Sequence, residues 1–120
     1  MYKMINKMFV FLSTLVLVIL TACYSEIRFV AWNMEHLAEN GGEGCVPRQE
    51  SDYIKLRNFA RTLDADVFAL QEVESLKAVA RVFPEKDWNI RVSDRPASSS
   101  YNCYGNGQKS TQQRVALVIR

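Results

Sequence analysis

Arg28-Phe29-Val30-Ala31-Trp32-Asn33-Met34-Glu35 and Asp64-Ala65-Asp66-Val67-Phe68-Ala69-Leu70-Gln71-Glu72-Val73 are two apolar runs with the same ending, an oxygen-bearing side chain at the point where a strand meets a loop. Ile27, Phe29, Val30 and Trp32 are β-branched or aromatic, so residues 26–32 read as a strand. Residues 67–70 are almost continuously apolar, the pattern of a strand covered on both faces. Between them, Tyr53, Leu56, Phe59, Ala60 and Leu63 recur at helical spacing, which predicts a helix over residues 49–63. Arg48, Lys55, Arg57 and Arg61 share the remaining surface of that helix with Glu50 and Asp52. A strand–helix–strand unit is expected to cross over right-handedly and leave its strands parallel. Asn33 and Glu72 then stand side by side. A carbonyl and a carboxylate held together suit a hard cation such as Mg²⁺, with a phosphate ester beside it.

Working outward, residues 74–83 read as a second helix stopped by Pro84, and residues 88–92 as a third strand. Residues 93–113 are rich in Ser, Asn and Gly and read as a long loop. Val115, Ala116, Leu117, Val118 and Ile119 mark a final strand over residues 114–120. The order predicts an α/β architecture with a mixed sheet that begins with a βαβ unit. A domain rarely finishes on an unprotected apolar strand, because such an edge invites aggregation. Residues 23–120 are therefore expected to form part of a larger fold.

The start of the chain has a different character. Lys3 and Lys7 precede an apolar run over residues 8–20, and Leu20-Thr21-Ala22-Cys23 follows. The run is short for a membrane span and closes on small residues, so residues 1–22 read as an export signal. Leu-Thr-Ala-Cys resembles a bacterial lipobox, which makes Cys23 the lipidated N-terminus of a protein anchored at a membrane and facing the periplasm or cell exterior. A plain signal peptide or an uncleaved anchor is the competing reading. The chain of 120 residues has a formal net charge of +2. That excess belongs to the two signal lysines, and without them 13 basic side chains face 13 acidic ones. A neutral mature chain has no global field to attract nucleic acid, so any such substrate depends on a local patch.

Cys45 and Cys103 remain once Cys23 is lipidated. Both lie in Gly-containing loops, and an exported chain meets an oxidising compartment, so the pair is expected to form a disulfide. A metal site is the rival reading, but neither cysteine belongs to a Cys-x-x-Cys pair. Gly41-Gly42-Glu43-Gly44 is not followed by Gly-Lys-Ser/Thr and does not read as a phosphate loop.

The two opening motifs, with Gln113-Arg114-Val115-Ala116-Leu117-Val118-Ile119, resemble the N-terminal half of the endonuclease/exonuclease/phosphatase superfamily. The resemblance implies half of an αββα four-layer sandwich, a catalytic pair of Asn33 and Glu72, and a metal held by Glu72 and Asn33. The cofactor it implies is Mg²⁺, with Mn²⁺ or Ca²⁺ as substitutes. The substrate it implies is a phosphate ester: nucleic acid, phosphoinositide, sphingomyelin-like lipid or a small phosphodiester. No protein partner is predicted beyond the membrane contact of the lipid. Family members complete the site with an Asp-x-Asn strand end and a late Asp-His pair. Neither motif occurs here, and His36 is the one histidine. The chain alone is accordingly expected to show no appreciable hydrolysis. A lipid-tethered binding module and a non-functional remnant are the alternatives.

Glu35, His36, Arg114, Tyr101 and Tyr104 are weaker candidates. Glu35 reads as a supporting carboxylate and His36 as a surface loop residue. Arg114 reads as a solvated strand-initial side chain. Tyr101 and Tyr104 suit either base stacking or covering the core.

Overall fold

A computed structural model describes residues 26–105 and 107–120. The export signal and Cys23 fall outside the described residues. Four strands and two helices follow one another as β1 (Phe29–Leu37), α1 (Glu50–Thr62), β2 (Val67–Val73), α2 (Leu76–Val82), β3 (Asn89–Val92) and β4 (Arg114–Ile119). The sheet order is β1-β2-β4-β3. β1 and β2 are parallel, whereas β4 runs antiparallel to both β2 and β3. The protein is an α/β fold with a mixed sheet that opens on a βαβ unit.

Both helices are defined by their caps. Gln49 and Asp52 bond reciprocally across the start of α1, a capping box that satisfies two otherwise orphaned N–H groups. Ser75 Oγ accepts from the Ala78 N–H at the start of α2. Tyr53 and Ala60 of α1 and Ala78, Val79 and Val82 of α2 are buried against one sheet face. Phe68, Leu70, Ala116 and Val118 meet them from the sheet. Phe68, Phe83 and Trp88 close the β3 end with ring centroids 4.9–5.6 Å apart, a favourable tilted and edge-on set.

Period-two alternation sends the other side chains of each strand to the opposite face. There Phe29, Val115, Leu117 and Ile119 are exposed. Both helices pack on the first face, and neither covers this apolar one.

Two sequence expectations change. β4 is not an edge: it pairs with β2 on one side and β3 on the other, and β1 and β3 form the edges. β1 does not stop at Trp32 but continues to Leu37. It does so by bulging. Asn33 opposes Gln71 and Leu37 opposes Val73, so four steps along β1 match two along β2. β2 bulges in turn against β4, where Leu70 opposes Ala116 and Val73 opposes Arg114.

Candidate active site

The two irregularities coincide at Glu72. Glu35, His36 and Glu72 all adopt positive φ, at 46°, 59° and 57°. Asp64 is the fourth such non-glycine among the described residues. L-residues avoid this region at a cost of about 1 kcal/mol or more each, and such costs concentrate where a side chain must be aimed. Here the bulges turn Glu72 and His36 toward each other at the strand ends.

Asn33 uses both ends of its amide. Its Oδ1 accepts from the Glu35 N–H at 2.8 Å, an Asx-type turn that starts the bulge. Its Nδ2 donates to Glu72 Oε1 at 2.9 Å. The opposite amide orientation would set oxygen against carboxylate and N–H₂ against N–H, so the assignment is fixed by its partners. Asn33 thus orients the carboxylate, with both ends of its amide engaged within the protein.

His36 is largely enclosed, with 13% of its side chain exposed, and is not the solvated loop residue expected from sequence. Gln113 Nε2 donates to His36 Nδ1 at 2.6 Å. The same amide nitrogen lies 3.3 Å from the other ring nitrogen, Nε2. The imidazole Nε2 lies 3.2 Å from the Tyr101 hydroxyl and 3.7 Å from Glu72 Oε2. Tyr101 also meets the imidazole edge-on at 6.0 Å between centroids. Glu72 is consequently flanked on one oxygen by an amide and on the other by an imidazole.

Two supports were not read from the sequence, Arg48 and Gly44. Arg48 is not a solvated helix residue. It donates to the carbonyls of Met34 at 2.8 Å, Glu35 at 3.0 Å and His36 at 3.3 Å, spanning the bulge. Gly44 is buried with φ +81°, and an added Cβ would lie 3.3 Å from Thr111 Cγ2 and 3.6 Å from His36 Cβ. Cys45, its neighbour, is joined to Cys103 by a disulfide, which ties this loop to the segment carrying Tyr101. The disulfide is the pair expected from the sequence, whereas an arginine before a helix and a glycine in a loop carry no such signal.

The remaining candidates separate. Arg114 Nη1 donates to the Glu74 carbonyl at 2.6 Å, so its guanidinium is structural as well as site-facing. Glu35 contributes its backbone, with its side chain outward, and Tyr104 is fully exposed. A cleft of about 370 Å³ opens beside Glu72, bordered by Gln71, Ser93, Arg95, Gln113 and Arg114.

The donor set meets a divalent cation only in part. No group of three or more His, Cys, Asp or Glu side chains gathers among the described residues. Glu72 is the single carboxylate among the described residues that line the cleft, and Mg²⁺ takes one or two protein carboxylates with water and phosphate oxygens completing its shell. Glu72 therefore fits as an anchoring ligand, and neither Asn33 nor His36 adds a competing anion. No helix among the described residues is long and apolar enough to cross a membrane. No protein-family model matches the chain, and a comparison with curated proteins finds none significantly similar.

Proposed function

We propose that this chain carries one part of the metal site of a phosphoesterase of the endonuclease/exonuclease/phosphatase superfamily, exported and lipidated at Cys23. The observation that carries the reading is the Asn33–Glu72 hydrogen bond at the bulged ends of two parallel strands, beside an open cleft. Bulges and left-handed residues at strand ends aim side chains, and this one aims a carboxylate.

A bound Mg²⁺ would polarise a phosphoryl oxygen. Glu72 would hold the cation, with Asn33 and His36 setting the direction of its two oxygens. The second Asn33 N–H and the Arg114 guanidinium offer donors to a phosphate. What these residues do not provide is a second carboxylate or a general base placed for an attacking water. The chain by itself accordingly binds metal without efficient turnover.

The finer architecture follows the same reading. The uncovered apolar face bearing Phe29, Val115, Leu117 and Ile119 suits a second sheet about 10 Å away, giving the αββα sandwich. The remaining catalytic groups would arrive with that sheet.

Mn²⁺ titration followed by nuclear magnetic resonance tests the site. Selective broadening of the Asn33, His36 and Glu72 amides, abolished by Glu72→Gln, is the expected result. Uniform broadening, or none at millimolar metal, sinks the proposal. Mg²⁺-dependent hydrolysis of a generic phosphodiester by the chain alone, lost in Glu72→Gln, would show that its residues suffice for turnover and overturn the partial-site reading.

A further inference from the structure

The register of the four strands sets the residues of the open sheet face into rows. Phe29, Val67, Ile119 and Asn89 stand opposite one another across β1, β2, β4 and β3. Two residues further along β1, Ala31, Ala69, Leu117 and Arg91 form the next row. Bulk is distributed unevenly along these rows. β1 and β2 carry alanines in the second, and a hollow of about 370 Å³ opens over Ala69. β4 carries the large side chains, with Val115, Leu117 and Ile119 all exposed. Arg91 is the one charged side chain in the two rows, and it stands on the edge strand β3.

This pattern is complementary to itself. A second copy turned by 180° about an axis parallel to the strands, between β2 and β4, meets the face with its strand order reversed. Each row then opposes its own reverse. Leu117 lies over the partner's Ala69, and Ile119 over the partner's Val67. A large side chain faces a smaller one, which fills the roughly 10 Å between packed sheets. Arg91 stays at the rim, so the rows enclose no charge. The size also fits. Four strands about 4.8 Å apart and about five residues deep present roughly 320 Å² in plan, and side-chain relief enlarges the accessible area. Two copies together bury on the order of 1,000 Å², where specific interfaces begin. Soluble monomers rarely leave a contiguous apolar patch of several hundred Å² uncovered.

We propose that two copies of this chain pair through the open sheet face as a two-fold dimer, each sheet covering the other. Rotation about the strand direction leaves the strand ends in place, so the two Glu72 clefts open at the same end of the dimer. The second copy brings no residue type that the first lacks, so metal binding without efficient turnover is unchanged. The dimer takes the face left open in the phosphoesterase reading but does not depend on that reading.

Sedimentation equilibrium of the full chain in density-matched detergent tests this. The expected result is twice the chain mass, falling to the monomer on dilution. Leu117→Ala removes bulk without adding charge and should weaken the dimer about tenfold. Ala69→Glu and Leu117→Lys each leave an unpaired charge in the interface and should weaken it roughly a hundredfold. An equimolar mixture of those two variants should recover the dimer. The new carboxylate of one copy then faces the new ammonium of the other, and the second contact keeps its native residues. Recovery also shows that both variants fold. A monomer at every concentration, an open-ended series of larger species, or a dimer that survives Leu117→Ala and Leu117→Lys overturns the proposal, and so does a mixture that stays monomeric. Mn²⁺ broadening at Asn33, His36 and Glu72 should be the same in Leu117→Ala as in the native chain, so failure of the dimer and failure of the metal site are read separately.

Discussion

Arg48 Nη2 donates to the Met34 carbonyl at 2.8 Å, and the same guanidinium reaches the next two carbonyls along the bulge. A bulge removes carbonyls from the sheet ladder, and partly buried carbonyls must find donors elsewhere. One arginine supplies them for three consecutive residues, two of which have positive φ. Arg48→Met keeps the aliphatic stem and removes the donors. It should cost about 2–3 kcal/mol in urea unfolding, and the Glu35 and His36 amides should lose hydrogen-exchange protection before the rest of β1. Unchanged protection at those two amides would show that the bulge holds itself.

Asn33 acts on Glu72 from one side chain away, so its removal should weaken metal binding without abolishing it. Partners that orient a ligand typically contribute 10–100-fold to metal affinity. Asn33→Ala should therefore reduce Mn²⁺ affinity by about tenfold, and Glu72→Gln should reduce it much further. The two variants compared by electron paramagnetic resonance of free Mn²⁺ decide the ranking. Equal losses would make Asn33 a direct ligand instead.

Much of the frame was legible because periodicity and caps are local. The apolar spacing of Tyr53, Leu56, Ala60 and Leu63 placed α1 to within one residue at each end, and Pro84 marked the end of α2 closely. β1 was cut short at Trp32 because a bulge breaks the alternation that defines a strand, and Met34-Glu35-His36 carries no period of two. β4 looked like an exposed edge because pairing partners are non-local: β3 precedes it across a long loop, yet returns to its far side. The Asn33–Glu72 pair was legible from two strand ends and parallel pairing. Arg48, Gln113 and Gly44 were not, because their roles come from loops folding back over residue separations that no local pattern encodes.

The disulfide joins Cys45 to Cys103 across a separation of 58 residues. Closing a loop of that length in the unfolded chain corresponds to about 4 kcal/mol in the chain-entropy model. It also holds the loop of Gly44, which packs on His36, to the segment of Tyr101, whose hydroxyl meets the same ring. Replacing both cysteines by serine should lower stability by about 2–4 kcal/mol. It should also shift the His36 ring resonances, because Tyr101 is no longer held against them. A destabilised variant with unmoved His36 resonances would confine the disulfide to a global role.

Tyr53 is fully buried, and its hydroxyl donates to the Ala38 carbonyl at 3.0 Å. The Arg81 guanidinium lies 3.5 Å from the ring centroid, while burial pushes the phenol above its ordinary pKa. Tyr53→Phe keeps the ring and the cation–π contact but leaves a buried carbonyl without this donor. Its expected cost is about 1–2 kcal/mol in urea unfolding. A neutral substitution would mean that water replaces the hydroxyl.

At the end of the sheet opposite the site, Asp64 accepts from Arg120 Nη1 at 3.1 Å and from Arg28 Nη1 at 2.5 Å. The hydrogen bond from Arg120 and then the charge of Arg28 hold its carboxyl below the ordinary aspartate value. A depressed folded-state pKa means that the unfolded chain binds the proton more readily. The Asp64 contribution is therefore complete above the unfolded-state pKa and is lost as pH falls through the lower folded-state one. Because the pair is exposed, salt screens it, and the effect should shrink at high ionic strength. Carboxyl carbon resonances recorded through acid titration should place the Asp64 midpoint below that of a peptide aspartate. Arg120→Gln should raise that midpoint and flatten the acid limb of the stability profile. A midpoint indifferent to both Arg120→Gln and salt would remove the two arginines as its cause.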